Sequence, residues 1–400
     1  MKPLWRPLDQ DCRQDPYPMY EILREQDPVH QSQTGEWIIS RYEDVKSILR
    51  NNTFLVGNRM AWLSKGVDYF ENKKIRFDHI NEAIGDFILF LNPPDHPRIR
   101  KFIMKVWNQG EVEGIINENL NLLLNKITGK SFDLIEGVSS PLPAMTISKL
   151  MGIPIKDYDY LKKTSQDLIK ALDLYVTLRD IKKIDEAAAA FLLYFKKLVD
   201  EKRAHPDDKI ISRLIELNTE EGTLTEKELI SSSILLFVAG EETSVGLTGT
   251  GLMHLIRHEG EWEKIKADRT LIPSAIEELL RFDAPAQFVG RIASLDFELD
   301  GKVIKKDSTL TLCIAAANRD PRQFSKPDDL ILDRSPNKHL SFGGGAHYCL
   351  GDWLAKTQTH SAINAMLDRF KKLEVMDKQL NWNNNISVRS LKSLHVGIRG

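Results

Sequence analysis

Cysteine is scarce in this sequence, and no hydrophobic run is long enough to cross a membrane. The 400 residues include three cysteines, Cys12, Cys313 and Cys349. So few cysteines, odd in number and widely spaced, argue against a disulfide framework and favour a reducing compartment. The longest uncharged apolar run, Leu229 to Gly240, is too short for a bilayer, and the N-terminus lacks the apolar core of a signal peptide. We therefore expect a cytoplasmic protein without a membrane anchor.

The sequence also lacks an excess of charge of either sign. Its 55 lysines and arginines nearly balance its 57 aspartates and glutamates, which leaves a formal net charge of -2. This balance gives no reason to expect nucleic acid or an acidic membrane surface as the main partner, and it leaves a local basic patch open. The 42% hydrophobic share is that of a globular chain with a large core.

Helical periodicity dominates the middle of the chain. Apolar residues recur at helical spacing from Ile181 to Val199, with lysines and aspartates between them. Thr225 and Glu228 form a capping box that opens an apolar segment of about thirty residues. Because this segment is apolar nearly all round at its centre, we expect one long helix buried in a large domain.

The β patterns are short and lie far apart. A strand is indicated from Glu36 to Ser40, directly before a helix that begins at Tyr42. Alternation around Asp300 and Gly301 predicts a hairpin. A last strand is indicated by the alternating Leu394, Val396 and Ile398. The sequence predicts a mainly α fold with small, separate β-sheets.

One stretch, LSFGGGAHYCLGDWLA from Leu340 to Ala355, places a cysteine near the start of a helix. Unpaired N–H groups and the helix dipole favour a thiolate there. The glycines at 343 to 345 allow a tight turn and a close approach to something flat. No CxxC or Cys/His cluster accompanies Cys349, which argues against zinc. A structural cysteine, a nucleophile and a single thiolate ligand of haem iron remain open.

This stretch resembles the haem-binding signature of the cytochrome P450 monooxygenases. The positions in register are Phe342, Gly343, Gly345, His347, Cys349 and Gly351. The resemblance implies that Cys349 is the axial thiolate of haem b, that Phe342 packs beside it and that His347 reaches a propionate. It covers nearly the whole chain, so residues 1–400 are expected to form a single P450 domain, a helix-rich triangular prism enclosing haem.

Other segments resemble further parts of the same family. His96 and Arg100 in DHPRIRK, and Arg291, match residues that bind the haem propionates. Cations suit these positions because a buried carboxylate is costly without a partner. Glu278 and Arg281 match the family's Glu-x-x-Arg pair, which braces the loop behind the haem.

The sequence departs from the family at the third member of this brace. The family usually has an arginine at the end of the segment FSKPDD, but Asp329 occupies the apparent position. Either Arg334 or another group takes over that role, or the register is shifted.

The segment AGEETS interrupts the apolar run of the central helix. It resembles the family's acid–alcohol pair, which assigns Glu242 as the acid and Thr243 as the alcohol. Ala239 and Gly240 are small and would leave room for O2. Because O2 activation needs two protons at the right moment, both positions favour an O2-dependent over a peroxide-only reaction. Glu241 lies about 100° further round the helix, so we expect it to face another helix or solvent.

The resemblance also implies an electron donor. We expect a separate ferredoxin or flavodoxin, with its reductase, to dock on the thiolate side of the haem. A basic patch would suit acidic partners of this kind, and its candidates are Arg98, Lys101, Lys105 and Lys356.

The substrate is the least determined feature. Family resemblance indicates a pocket formed by Arg59, Trp62, Arg76, His79, Leu236, Gln287, Phe288, Val289 and Val388. This mixture is polar enough to suit a compact polar ring, such as an O-methylated sugar that loses its methyl group as formaldehyde. An apolar terpenoid, fatty-acid or macrolide-like substrate remains open, since the polar side chains can instead point to solvent.

Two other classes of protein are alternatives to a monooxygenase. A non-catalytic haem-binding or sensor protein needs the thiolate loop but neither Glu242 nor Thr243. A cysteine-nucleophile enzyme needs a base near Cys349 and no propionate partners. The sequence therefore favours a monooxygenase.

Overall fold

A computed structural model describes residues 4–57, 78–107 and 112–399. Within these ranges the α-helices, in chain order, are α1 (Gln10–Gln14), α2 (Tyr17–Gln26), α3 (Tyr42–Arg50), α4 (Asp78–Ile84), α5 (Asp95–Val106), α6 (Val112–Leu124), α7 (Pro141–Met151), α8 (Tyr158–Leu168), α9 (Leu178–Ala204), α10 (Ile210–Glu221), α11 (Glu226–Val238), α12 (Glu241–Arg257), α13 (Glu259–Ala267), α14 (Ile272–Phe282), α15 (Ile314–Ala317) and α16 (Asp352–Arg369).

The strands are short and form four small sheets. They are β1 (Val29–Gln31), β2 (Trp37–Ile39), β3 (Phe54–Leu55), β4 (Ser131–Asp133), β5 (Phe288–Ala293), β6 (Phe297–Leu299), β7 (Lys302–Ile304), β8 (Thr309–Cys313), β9 (Lys372–Val375), β10 (Asn381–Trp382), β11 (Leu391–Ser393) and β12 (His395–Arg399). The largest sheet has the order β1-β2-β8-β5-β3, and the others are β4-β12-β9, β6-β7 and β10-β11. The predicted mainly α fold with small sheets is confirmed.

One compact unit comprises residues 1–55, 116–142 and 243–400. It contains every strand of the described residues. Its five-stranded sheet is centred on β8, which pairs parallel with β2 and antiparallel with β5. Ile38, Leu310 and Leu312 are fully buried there, as suits apolar side chains on a covered sheet. Helix α14 packs on α16, and α3 packs on a 3-10 turn, Gly345–His347.

The other compact unit comprises residues 56–115 and 143–242, and its described part is helical. Helix α9 is its centre and packs against α4, α8, α10 and α11. Thr177 and Asp180 close a capping box at the start of α9. Phe191 and Phe195 share one face of α9 and pack with Phe237 of α11.

Several local predictions are confirmed. Strand β2 and helix α3 lie where the pattern placed them, and β6 pairs with β7 across the predicted hairpin. Asp300 and Gly301 have φ values of 51° and 72°, the left-handed pair that a two-residue hairpin turn requires. The capping box of Thr225 and Glu228 also forms.

The predicted central helix of about thirty residues spans Glu226–Arg257, with a break that the sequence did not indicate. Helix α11 ends at Val238 and α12 begins at Glu241, with Ala239 and Gly240 between them. Glycine favours such a break, and Glu241 and Glu242 then occupy the first turn of α12, where negative charge is stabilised. Residues Glu226–Arg257 form one stretch of the described chain long and apolar enough for a membrane span, but 72% of its most apolar window is buried inside the protein.

Candidate active site

Cys349 lies in the loop that joins the 3-10 turn Gly345–His347 to helix α16. Its backbone N–H donates to the carbonyl oxygen of Phe342 at 3.0 Å, which closes the loop, and its side chain is exposed. The cysteine therefore stands just before a helix N-terminus, as the sequence predicted. An exposed thiol in this position can be deprotonated and can reach a ligand outside the loop.

The glycines of this loop are required for a reason that the sequence did not reveal. Gly343 and Gly345 have φ values of 74° and 66°. A Cβ on Gly345 would lie 2.6 Å from the carbonyl oxygen of Leu49, and one on Gly344 would lie 3.4 Å from the Leu49 Cβ. Gly345 thus allows the loop to pack on α3, and the approach of these glycines to a flat cofactor stays a prediction.

An ion cluster that the sequence analysis missed surrounds Phe342. Glu277 accepts from Lys356 Nζ at 2.6 Å and lies 2.7 Å from His339 Nε2. The Lys356 ammonium also lies 5.1 Å from the centre of the Phe342 ring. Burial opposes ionisation of Glu277, but the hydrogen bonds from His339 and Lys356 lower its pKa to about 2. The cluster therefore holds the base of the Cys349 loop from α14 and α16.

The brace has Arg334 as its third member. Glu278 and Arg281 are fully buried and joined by two hydrogen bonds, of 2.8 and 2.9 Å. Arg334 Nε lies 3.1 and 2.9 Å from the two oxygens of Glu278. Asp329 contributes its main-chain carbonyl, which accepts from Arg281 at 3.1 Å. Of the alternatives that the sequence left open, these hydrogen bonds favour Arg334, and the buried Glu278 binds two arginines.

Arg291 is a buried cation on β5. It is 4% exposed, and its Nη1 donates to the carbonyl oxygen of Gly290 at 2.8 Å. Burial lowers its pKa to about 10. It forms no ion pair with an acid of the described residues, so its guanidinium is prepared to receive an anion.

His96 and Arg100 lie one turn apart on α5, as predicted. His96 is buried, and Arg100 is half-buried. Burial lowers the pKa of His96, and the charge of Arg100 lowers it further. His96 is therefore a neutral donor at pH 7 beside a permanent cation.

The AGEETS segment forms the junction of α11 and α12. Ala239, Gly240, Glu242 and Thr243 are half-buried, and a Cβ on Gly240 would meet no atom within 4 Å. Glu241 is buried, and its Oε2 lies within hydrogen-bond range of the Ser165 hydroxyl on α8. The prediction that Glu241 faces another helix is confirmed.

Two predicted polar substrate residues bind other residues of the protein. Tyr20 donates to Gln287 Oε1 at 2.8 Å, and Gln287 Nε2 donates to the carbonyl oxygen of Ala284 at 2.6 Å. The amide of Gln287, which is buried, therefore serves the fold. His79 is exposed, and its Nδ1 lies 3.0 Å from Asp185.

The other predicted substrate residues fall into three groups. The Phe288 ring packs edge-on against Trp5 and Tyr20. Leu236 and Val388 are buried, and Val289 is half-buried. Arg59, Trp62 and Arg76 lie outside the described residues.

Most of the predicted basic patch is neutralised by intramolecular ion pairs. Arg98 lies 2.5 Å from Glu228, and Lys105 lies 2.5 Å from Glu221. Lys356 belongs to the cluster with Glu277 described above. Lys101, by contrast, is exposed and has no ion pair with the described residues.

The family model for cytochrome P450 matches residues 28–393 of the chain. The chain is 35% identical to cytochrome P450 CYP107DY1 of Priestia megaterium over 377 residues, 90% of this chain and 89% of the relative. It is 33% identical to the polyketide biosynthesis cytochrome P450 PksS of Bacillus subtilis over 414 residues, 99% of each chain.

Solved structures have the same fold. The structure of P450BioI in complex with hexadec-9Z-enoic acid ligated acyl carrier protein matches with a TM-score of 0.89 and 29% identity, over 97% of this chain and 99% of that one. CYP109E1 from Bacillus megaterium in complex with testosterone matches with a TM-score of 0.86 and 28% identity, over 98% of this chain and 100% of that one.

The fold, the Cys349 loop and these matches define a haem-thiolate monooxygenase. The chain belongs to the cytochrome P450 family, and its cofactor is haem b. Like its bacterial relatives, it takes electrons from a redox partner and acts on small molecules. The residues fit this cofactor, because Arg291 is a buried cation without an acidic partner among the described residues, and the Cys349 thiol is exposed.

Proposed function

We propose that this monooxygenase hydroxylates an apolar substrate, such as a fatty-acyl, terpenoid or macrolide-like molecule. The observation that carries this choice is that both polar groups of the buried Gln287 are engaged, its amide oxygen by Tyr20 and its amide nitrogen by the carbonyl oxygen of Ala284. They are then not available to recognise a compact polar ring. Among the relatives, P450BioI forms a complex with hexadec-9Z-enoic acid ligated acyl carrier protein, CYP109E1 forms a complex with testosterone, and PksS is named for polyketide biosynthesis.

We propose that Cys349 is the protein ligand of the haem iron. When bound, haem supplies the activation of O2 and the transfer of one oxygen atom to the substrate. The position of Cys349 before α16 favours its thiolate form. Phe342 accepts the N–H of Cys349 through its carbonyl and so fixes the loop, while Gly343, with a φ of 74°, allows its turn. A Cβ on Gly351 would lie 4.0 Å from Cys349 Sγ, so a small residue suits that position.

Four residues are proposed to bind the propionates. Arg291 offers a buried guanidinium, His96 a neutral N–H, and Arg100 a second cation. His347, at the end of the 3-10 turn, is the fourth. Their donors would satisfy two carboxylates that otherwise pay a large desolvation cost.

We propose that Glu242 and Thr243 hold and deliver the two protons that O2 activation requires. Both are half-buried in the first turn of α12, next to the small residues Ala239 and Gly240. A half-buried carboxyl can exchange protons with water, and a hydroxyl can both donate and accept a hydrogen bond. Glu278, Arg281 and Arg334 are assigned a structural role because they are buried and bind one another.

The proposed electron donor is a ferredoxin or flavodoxin with its own reductase. Lys101 is the predicted contact that remains exposed and without an ion pair among the described residues. Lys101→Glu should slow reduction of the haem by such a donor without changing haem content, and the effect should weaken with added salt. Lys105→Glu is the matched control, since Lys105 already pairs with Glu221. Equal rates of haem reduction in wild type and Lys101→Glu would show that Lys101 does not contact the electron donor.

Spectral titration tests the substrate class. Hexadec-9-enoic acid, testosterone and an O-methylated hexose are each added to the haem-loaded enzyme, and the spin-state shift of the Soret band is followed. The proposal predicts saturable shifts with an apolar ligand and none with the sugar. A saturable shift with the sugar alone, together with release of formaldehyde during turnover, would overturn it in favour of O-demethylation.

We also propose that residues 1–400 act as one P450 domain in the cytoplasm. The full-length match to PksS supports the first point. The near balance of charge and the burial of the Glu226–Arg257 stretch support the second.

A further inference from the structure

Glu241 is a buried acid that the proposed mechanism does not use. It is 6% exposed, although it stands beside the half-buried Glu242. Burial raises its pKa to about 7, with the charge of Glu242 acting in the same direction and Ser165 and Lys162 acting against it. A carboxyl in this state exchanges its proton near neutral pH.

The hydrogen bonds at Ser165 indicate which form of Glu241 fits the structure. The Ser165 hydroxyl is within bonding range of two acceptors, Glu241 Oε2 and the carbonyl oxygen of Lys162 at 2.8 Å. A hydroxyl has one proton, so it cannot donate to both. A protonated Glu241 resolves the conflict, since it donates to Ser165 Oγ and leaves the Ser165 proton for Lys162. An ionised Glu241 would take that proton and break the second bond.

The face of α8 that meets Glu241 carries three polar groups. Tyr158, Lys162 and Ser165 follow one another at helical spacing, four and three residues apart. Burial raises the pKa of Tyr158, and the charge of Glu241 raises it further, which places the phenol within electrostatic range of the carboxyl. Together with Glu242 on α12 itself, these are the charged and titratable groups that act on Glu241.

We infer that Glu241 is a positioning residue for proton delivery by Glu242, which it controls through a protonation-dependent link between α8 and the start of α12. In its neutral form, Glu241 donates to Ser165, and Ser165 donates to the carbonyl oxygen of Lys162, so the two hydrogen bonds connect α12 to α8. The neutral form also adds no second negative charge beside Glu242. In its ionised form, Glu241 takes the Ser165 proton, and the hydrogen bond from Ser165 to the Lys162 carbonyl oxygen is lost. Glu242 then binds its own proton more tightly, because two adjacent carboxylates repel. This role rests on the proton-delivery function proposed for Glu242.

Infrared difference spectroscopy between acidic and alkaline pH tests the titration itself on the haem-loaded enzyme. We expect a protonated-carboxyl band that fades with a midpoint near pH 7 in wild type and is absent in Glu241→Gln. Ser165→Ala should move the midpoint to higher pH, because the ionised acid loses its donor. Glu220→Gln, an exposed acid on α10, should leave the band unchanged. A band that survives in Glu241→Gln, or a midpoint unmoved in Ser165→Ala, would overturn the inference.

Peroxide release per NADH oxidised, driven by a surrogate ferredoxin and its reductase, tests the link to Glu242. In wild type we expect this ratio to rise two-fold or more from pH 6 to pH 8, whereas Glu241→Gln stays at the low value throughout. A pH dependence that persists in Glu241→Gln would refute control by Glu241. Glu242→Gln separates the two claims: if it leaves the ratio unchanged at every pH, the function proposed for Glu242 fails, whatever the infrared titration shows.

Discussion

At the scale of single residues, Arg291 shows how the protein prepares a place for an anion. Its guanidinium is buried on β5, and burial lowers its pKa although no acid of the described residues pairs with it. Leaving a charge in this state costs free energy in the protein alone. That cost is recovered when a propionate carboxylate binds.

Arg291→Gln should therefore weaken haem retention. Loss of a charge-assisted hydrogen bond costs about 1.5–3 kcal/mol, which corresponds to roughly ten- to a hundredfold in haem affinity. The measurement is the rate of haem transfer to apomyoglobin. Arg179→Gln, an exposed arginine on α9, is the control and should transfer haem at the wild-type rate. Equal rates in Arg291→Gln and wild type would show that Arg291 does not hold the cofactor.

The raised pKa of Glu241 has a consequence for stability that can be measured without a substrate. The folded protein keeps the Glu241 proton up to about pH 7, whereas the unfolded chain releases it near the ordinary value of 4.5. Between these values the folded state binds more protons, so the contribution of Glu241 to stability falls as pH rises. Relative to Glu241→Gln, the free energy of unfolding of wild type should fall by ~3 kcal/mol from pH 4 to pH 8.

Urea unfolding at several pH values, with haem content held constant, measures that difference. Asp283 offers an internal contrast, because coulombic interaction with Arg389 and a hydrogen bond from His254 outweigh its burial and hold its pKa far below the usual range. Its contribution is nearly constant from about pH 5 to pH 8 and is lost progressively as pH falls below that range. A wild-type to Glu241→Gln difference that is flat from pH 4 to pH 8 would contradict the buried, proton-carrying state of Glu241.

Gly345 tests the packing of the Cys349 loop on α3. Its φ of 66° is strained for any residue with a Cβ, and that Cβ would meet the Leu49 carbonyl oxygen at 2.6 Å. Gly345→Ala should therefore destabilise the protein by about 1–3 kcal/mol. Gly260→Ala on α13 is the control, since a Cβ there meets no atom within 4 Å and alanine favours a helix. The thermal unfolding temperature should fall in Gly345→Ala and rise in Gly260→Ala. Equal shifts of that temperature in the two variants would contradict the packing argument.

At the scale of elements, the brace ties helix α14 to the segment that precedes the Cys349 loop. Glu278 accepts from Arg281 on its own helix and from Arg334, and also from the backbone N–H of Ile331 at 2.9 Å. A buried carboxylate with two arginines is strongly destabilised when one partner is removed, because the remaining charges lose their compensation.

Arg334→Ala should destabilise the protein by about 3 kcal/mol. Asp329→Ala should cost less than about 0.5 kcal/mol, because the brace uses the main-chain carbonyl of Asp329 and its side chain is exposed. Urea unfolding of both variants is the measurement. A larger loss in Asp329→Ala than in Arg334→Ala would show that the brace is assigned to the wrong residue.

The elements also show what the sequence could and could not predict. Local patterns predicted α3, the hairpin at Asp300 and the capping box at Thr225, because each depends on neighbouring residues. They failed to predict the break at Ala239, where apolar periodicity continues across the junction. The partners of Glu277 and Gln287 were also missed, because they come from segments far apart in the chain.

At the scale of the whole molecule, family membership rests on the entire chain, while the substrate rests on a few residues. The match to PksS covers 99% of both chains, and the fold agrees with P450BioI at a TM-score of 0.89. The Cys349 loop could be recognised from sequence because its glycines and cysteine are contiguous. Substrate residues come from separate segments, and small side-chain differences change the ligand.

The measurement that tests the central claim most directly is the reduced, carbon-monoxide-bound absorption spectrum of the purified, haem-loaded protein. The account predicts a strongly red-shifted Soret band, as expected for thiolate on the haem iron, and its loss in Cys349→Ser. A folded, haem-loaded wild-type protein without that band, or a Cys349→Ser variant that keeps it, would contradict Cys349 as the ligand and with it the oxygen chemistry proposed here.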